Sequence, residues 1–207
     1  MSLKLFLDRV KKMIRGIIFD FDGTLVTSDL NFEEIRKEVG IPSGEPILET
    51  ISKWENTLQK EAFKKVFELE YLSAIRSEWF PRSIEFVRLL RDSNIKTGIL
   101  TRNSKKIIQL KIEQYQNLFD GVLAREDLVR PKPDPEGVLF FLNQWRLKPD
   151  EVLMVGDYEY DLHAARNAGI SGVWYKSREG VDYSSICDMS WNNYSEAIDW
   201  FLALKNS

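Results

Sequence analysis

Two aspartates, Asp20 and Asp22, stand two residues apart in the stretch RGIIFDFDGTLV, Arg15 to Val26. The apolar run around them, Gly16 to Phe21, reads as a buried strand, and alternate residues of an extended chain face the same way. Two like charges held that close repel each other and lose hydration unless something cationic lies between them. Three further stretches bring polar residues to the ends of apolar runs or to the loops after them. ILTRN ends a run on Thr101, and VRPKPDP sets Lys132 in a proline-stiffened loop. VLMVGDYEYD ends a run on Asp157 and places Asp161 four residues on, one turn into a helix.

If these ends meet, four carboxylates share a space with one hydroxyl and one ammonium. Lys132 alone leaves an excess of negative charge. A hard divalent cation removes it, and Mg²⁺ accepts a few carboxylate oxygens while keeping several waters. The cation, Lys132, the backbone N–H groups after Asp20 and the Thr101 hydroxyl then face one space suited to an anion, phosphate first of all. A carboxylate beside bound phosphate can attack it to give an aspartyl-phosphate, provided metal and lysine neutralise the approach. Gly23 permits the tight backbone path behind the second aspartate.

The elements that must position these groups follow from hydrophobic pattern. Five short apolar runs read as strands: Gly16 to Phe21, Lys96 to Leu100, Gly121 to Ala124, Glu151 to Val155, and Gly172 to Tyr175. RSIEFVRLLRDSN and SKKIIQLKIEQYQNLF carry apolar residues at helical spacing. Pro135 follows an aspartate able to cap a helix, Gly169 is a good helix stop, and Asn193 and Glu196 stand at capping-box spacing. Strands alternating with helices predict an α/β fold with a parallel sheet covered on both faces. From Asn31 to about Glu78 the pattern is helical only, two to four helices inserted after the first strand. An insertion there is expected to be a cap over the crevice where open α/β sheets bind ligands. The expected division is a core of residues 1–27 and 79–207 and a cap of residues 28–78.

A chain of 207 residues, 43% hydrophobic and 12% aromatic, fills a proper core and excludes a disordered class. A net charge of −3 with acids and bases interleaved is unlike a nucleic-acid or anionic-membrane surface. The single cysteine, Cys187, allows no internal disulfide, suits a reducing cytoplasm, and is read as a packing residue. No apolar run approaches the ~18 to 20 residues of a membrane span. The start, MSLKLFLDRVKK, has a short apolar patch broken by Asp8 and no small-residue cleavage site, and is read as an amphipathic helix packed on the core. His163, the one histidine, is assigned a packing or surface role. The expectation is a cytoplasmic protein, monomeric or homodimeric, with no nucleic-acid or membrane partner.

The order DxDGT, a strand-ending Thr, a Lys among prolines and then GDxxxD resembles the haloacid dehalogenase-like hydrolase superfamily. The helical insertion after the first motif resembles its helical-cap subfamily, of the phosphoglycolate phosphatase and β-phosphoglucomutase type. The resemblance covers Arg15 to Tyr175 and implies a Rossmann-like three-layer core with a small inserted α-helical cap. It implies a Mg²⁺-dependent phosphatase acting on a small phosphorylated metabolite. Asp20 would be the nucleophile; Asp22 would be general acid and then general base, its main-chain carbonyl binding Mg²⁺. Thr101 would bind a phosphoryl oxygen and Lys132 would hold Asp20 and spread charge. Gly23, Arg102 and Asn103 join Asp20, Thr101 and Lys132 as the expected phosphate-binding set. Asp157 would ligate Mg²⁺ directly, and Asp161 directly or through a water, so that Asp20, Asp22, Asp157 and Asp161 form the expected metal set. The chain departs from the pattern in its short cap and in Tyr158, Glu159 and Tyr160, which fill the middle of GDxxxD. A phosphomutase of the same superfamily and a catalytically silent binding protein of the same fold are the rival readings.

Overall fold

The computed structural model describes residues 14–205. The helix expected over the first twelve residues lies outside them. Six strands form one sheet in the order β3-β2-β1-β4-β5-β6, every neighbouring pair parallel. They are β1 (Gly16–Phe19), β2 (Lys96–Leu100), β3 (Gly121–Leu123), β4 (Val152–Gly156), β5 (Ser171–Tyr175) and β6 (Met189–Trp191). The last was not among the expected strands: three residues, two of them only half-buried, carry too little pattern to read. The first strand is also shorter than expected. After Phe19 the chain curls, and the N–H groups of Thr24, Leu25 and Val26 all turn back to the Phe21 carbonyl.

The sheet is buried on both faces because its two central strands, β1 GIIF and β4 VLMVG, are apolar at every position rather than at alternate ones. On one face Ile17, Phe19, Leu153 and Val155 pack with Phe86, Val87 and Leu90 of the helix Ser83–Asp92, here α4, and with Ala197, Ile198 and Phe201 of Tyr194–Lys205, here α8. On the other, Ile18 and Met154 meet Val138, Phe141 and Leu142 of α6 (Glu136–Trp145) and Ala164 and Ala165 of α7 (Glu159–Asn167). Each fully buried side chain of this size contributes about 1.5–3 kcal/mol of transfer free energy, so the three layers hold together through apolar burial. Helix α5 (Lys105–Ile112) is shorter than its pattern and continues as a 3₁₀ segment, Glu113–Leu118, a common tightening at a helix end.

The expected caps form. Asp134 Oδ1 accepts the Glu136 N–H at 3.0 Å, and Asn193 Oδ1 accepts the Glu196 N–H at 3.1 Å. Glu196 returns its bond to the Asn192 N–H, one residue earlier than a standard capping box.

Residues Ser28–Ser77 form a separate compact unit with its own small core of Ile35, Ile41, Ile51, Ala62 and Val66. It holds α1 (Phe32–Val39), α2 (Ile47–Ile51) and α3 (Asn56–Arg76). Asn31 opens α1 by accepting the N–H groups of Glu33 and Glu34. No helix among the described residues is long and apolar enough to cross a membrane.

Candidate active site

Strand register sets the site. Phe19 pairs with Ile99 of β2 and with Val155 of β4, so Asp20 comes level with Leu100 and Gly156. Thr101 and Asp157 stand one position further, each just past its strand. Chain order reverses between β1 and β4, and the carboxyl ends of strands at such a switch point form the ligand crevice of open α/β sheets. Asp20 is pinned there by its own N–H, which donates to the Val155 carbonyl at 2.8 Å.

Asp20, Asp157 and Asp161 each offer a carboxylate oxygen, and these oxygens all lie within 4.8 Å of one another. All three residues are buried. Two glycines make that approach feasible. Gly23 has φ of +79°, and a Cβ built on it would fall 2.6 Å from Asp157 Cγ. A Cβ on Gly156 would collide with the Asp161 carboxylate. Asp161 is both a helix-start acid and a member of the trio. Its Oδ2 accepts the Tyr158 N–H at 3.1 Å, while its Oδ1 accepts from Lys132.

Lys132 is 3% exposed, and its Nζ donates to Asp20 Oδ1 and to Asp161 Oδ1, both at 2.6 Å. Burial alone would lower its pKa, but Asp161 and Asp20 more than offset that and carry it above the ordinary lysine value. Lys132 therefore stays an ammonium. Burial pushes the Asp20 carboxyl well up, with Lys132 opposing and Asp161 and Asp157 adding to the rise. Burial likewise raises Asp157 to about 6, against the pull of Arg178. Three buried acids offering hard oxygen donors within reach of one another are a donor set that a divalent cation fits, because its charge offsets their mutual repulsion.

Asp22 faces elsewhere. Its carboxylate is not part of the trio; Oδ2 accepts Asn103 Nδ2 at 2.9 Å. The main-chain carbonyl, not this carboxylate, is the Asp22 atom that the resemblance assigns to the metal. Burial raises its pKa, and the Asn103 bond works against that rise. Thr101 is buried, and its hydroxyl accepts the Asn103 N–H at 3.0 Å. Asn103 Oδ1 in turn accepts the Ser104 N–H at 2.7 Å. Arg102 donates to the Lys132 main-chain carbonyl, with its guanidinium 4.8 Å above the Tyr160 ring.

Two site residues escaped the sequence reading. Arg178, three residues past β5, donates through Nε to Asp157 Oδ2 and stacks on Tyr158, 5.1 Å from the ring centroid. Only its place after a central strand could have signalled it. Tyr194, fully buried on α8, donates its hydroxyl to the Thr24 carbonyl at 2.9 Å and so braces the turn behind Asp20. Nothing in the local pattern marks it. His163 lies half-buried on α7.

A six-stranded parallel sheet carrying three clustered aspartates and a buried lysine at its switch point defines an α/β enzyme core built around acidic strand ends. The family model of haloacid dehalogenase-like hydrolases matches residues 17–175, and the chain belongs to that family. It is 31% identical over 172 residues to a haloacid dehalogenase-like hydrolase domain-containing protein of Arabidopsis thaliana, covering 77% of this chain and 69% of that one. It is 29% identical over 176 residues to the pyrophosphatase PpaX of Bacillus velezensis, covering 76% and 81%. In fold it matches a haloacid dehalogenase-like family hydrolase from Streptococcus pneumoniae with a TM-score of 0.68 at 22% identity, covering 91% of this chain and 98% of the other. It also matches a protein described as a predicted phosphoglycolate phosphatase of Haemophilus somnus 129PT, with a TM-score of 0.71 at 20% identity, covering 90% and 97%.

Proposed function

We propose that this chain is a Mg²⁺-dependent cytoplasmic phosphatase that takes the phosphoryl group of a small phosphorylated metabolite onto Asp20 and passes it to water. The observation that carries the reading is the Lys132 ammonium bridging Asp20 and Asp161 at 2.6 Å each, with Asp157 in the same cluster and Asp22 two positions after Asp20. Asp20, Asp157, Asp161 and the Asp22 carbonyl would hold the cation, which when bound neutralises the phosphate and the charge developing on its oxygens.

The residues then divide the work. A carboxylate oxygen of Asp20 attacks phosphorus as the bond to the leaving oxygen breaks, giving the aspartyl-phosphate. Asp22, its pKa raised by burial, gives the leaving oxygen a proton. It next takes a proton from the water that attacks phosphorus. The Asp20–phosphorus bond breaks, inorganic phosphate leaves, and both aspartates are restored. Lys132, held charged, steadies Asp20 and the negative charge of both transition states. Gly23 and the loop Thr101, Arg102 and Asn103 would line the phosphoryl oxygens. Residues 28–78 are read as the cap module of this fold.

The test is phosphate release by purified protein from an aryl phosphate with Mg²⁺, followed by a panel of 2-phosphoglycolate, inorganic pyrophosphate and sugar phosphates. The relatives' names justify the first two. Release that is lost on chelation and falls at least about a thousandfold in Asp20→Asn supports the reading. No release from any of these with Mg²⁺ present, or undiminished release by Asp20→Asn, contradicts it.

A further inference from the structure

The Asp157 side chain is 1% exposed, and its Oδ2 accepts from Nε of Arg178, whose side chain is 27% exposed. Asp157 is also one of the three carboxylates that converge within 4.8 Å. Lys132 serves the other two, Asp20 and Asp161. Every member of the trio thus has one cationic partner in the protein itself, and three negative charges meet two positive ones. A divalent cation together with Lys132 balances the trio without any help from Arg178. The same cation with the guanidinium still on Asp157 would place two cations on one buried carboxylate, where their repulsion is little screened.

We propose that Arg178 is a removable counter-ion: it holds Asp157 in the cation-free protein and is displaced from Asp157 Oδ2 when a divalent cation binds the trio. The surroundings suit such an exchange. The arginine side chain reaches in from the loop after β5 and is partly open to solvent, whereas Lys132, at 3% exposure, has no such freedom. The Tyr158 ring gives the guanidinium a second hold through its face, one that does not depend on Asp157. Tyr158 is itself fixed, packed edge-on against Tyr160 at 5.0 Å and Tyr183 at 6.2 Å between centroids. Of the residues that set this GDxxxD segment apart from its family pattern, Tyr158 is thus the one that seats the arginine.

The exchange reduces apparent cation affinity, because only the fraction of molecules in which Asp157 is released can bind. It rests on the reading of the trio as a cation site. Mn²⁺ binding to the purified chain, measured from the electron paramagnetic resonance of free Mn²⁺, reports it without turnover. The apparent Kd should fall about five- to tenfold in Arg178→Gln. Loss of positive charge alone also favours a cation, so a second measurement on the wild-type chain follows the Arg178 Nε–H resonance while Mg²⁺ is added. That resonance should leave its hydrogen-bonded position with the midpoint of cation binding; a bystander charge would leave it in place. An affinity unchanged or weakened in Arg178→Gln, or a resonance unmoved at saturating Mg²⁺, overturns the proposal while leaving the cation site standing. A wild-type chain that binds neither Mn²⁺ nor Mg²⁺ overturns both.

Discussion

Asn103 Nδ2 donates to Asp22 Oδ2 at 2.9 Å, joining residues 81 positions apart across two strand ends. Under the proposed mechanism, the bond fixes the rotation of the carboxylate that would face first the leaving oxygen and then water. Asn103→Ala should therefore lower kcat about tenfold or more, the worth of a hydrogen bond to a charged group, with a smaller change in KM. Steady-state kinetics on an aryl phosphate separates this from a purely phosphate-binding role, in which KM would carry the loss.

Among the described residues, Lys132 is the one ammonium touching both Asp20 and Asp161, and all three groups are buried. Replacing it by methionine keeps the stem but strands two buried carboxylates. Breaking a buried ion pair from one side costs about 3–5 kcal/mol. Denaturant unfolding of Lys132→Met in the absence of divalent cations should show a loss of that order. Added Mg²⁺ should restore part of it, since the cation relieves the same repulsion.

Gly23 combines a left-handed φ with a carboxylate where a Cβ would have to go. Gly23→Ala should displace Asp157 and abolish measurable phosphate release while the fold persists. Circular dichroism together with the activity assay checks both halves.

The aspartates at the ends of β1 and β4 were legible because each closes an apolar run that no solvent-exposed strand would carry, and their spacing fixed Asp22 and Asp161 relative to them. Lys132 was legible from its place in the proline-stiffened loop VRPKPDP and from the order of motifs, not from charge. The sheet followed from strands alternating with helices, except β6, whose three residues bear no periodicity. What the sequence concealed depends on side-chain reach across the fold. Arg178 meets Asp157 from the far side of β5, and Tyr194 meets Thr24 from the last helix. The bond from Asn103 to Asp22 likewise joins two strand ends far apart in sequence. Neighbours in space but not in sequence leave no local signature.

Away from the site, Asp127 accepts the Ala124 N–H at 3.1 Å and pairs with Lys105 at 2.7 Å. Partial burial would raise its pKa, but those two partners outweigh it and hold it below the ordinary carboxylate value of 3.8. A carboxyl depressed on folding contributes stability that is present above its unfolded pKa and lost as pH falls through the folded one. Asp127→Asn should accordingly be less stable than wild type near neutral pH, by about 1 kcal/mol or less given the half-exposed lysine. The difference should vanish on acidification below the carboxylate range, as acid-unfolding curves of the two proteins will show.

Turnover through a covalent bond to Asp20 is the central claim, and chemical trapping tests it most directly. An acyl phosphate is reduced by borohydride to the alcohol, so quenching the enzyme during turnover of an aryl phosphate and sequencing its peptides by mass spectrometry locates the phosphorylated residue. Homoserine in place of Asp20 is the predicted result. Sustained phosphate release with Asp20 unmodified, or the reduced residue found at another position, would contradict it.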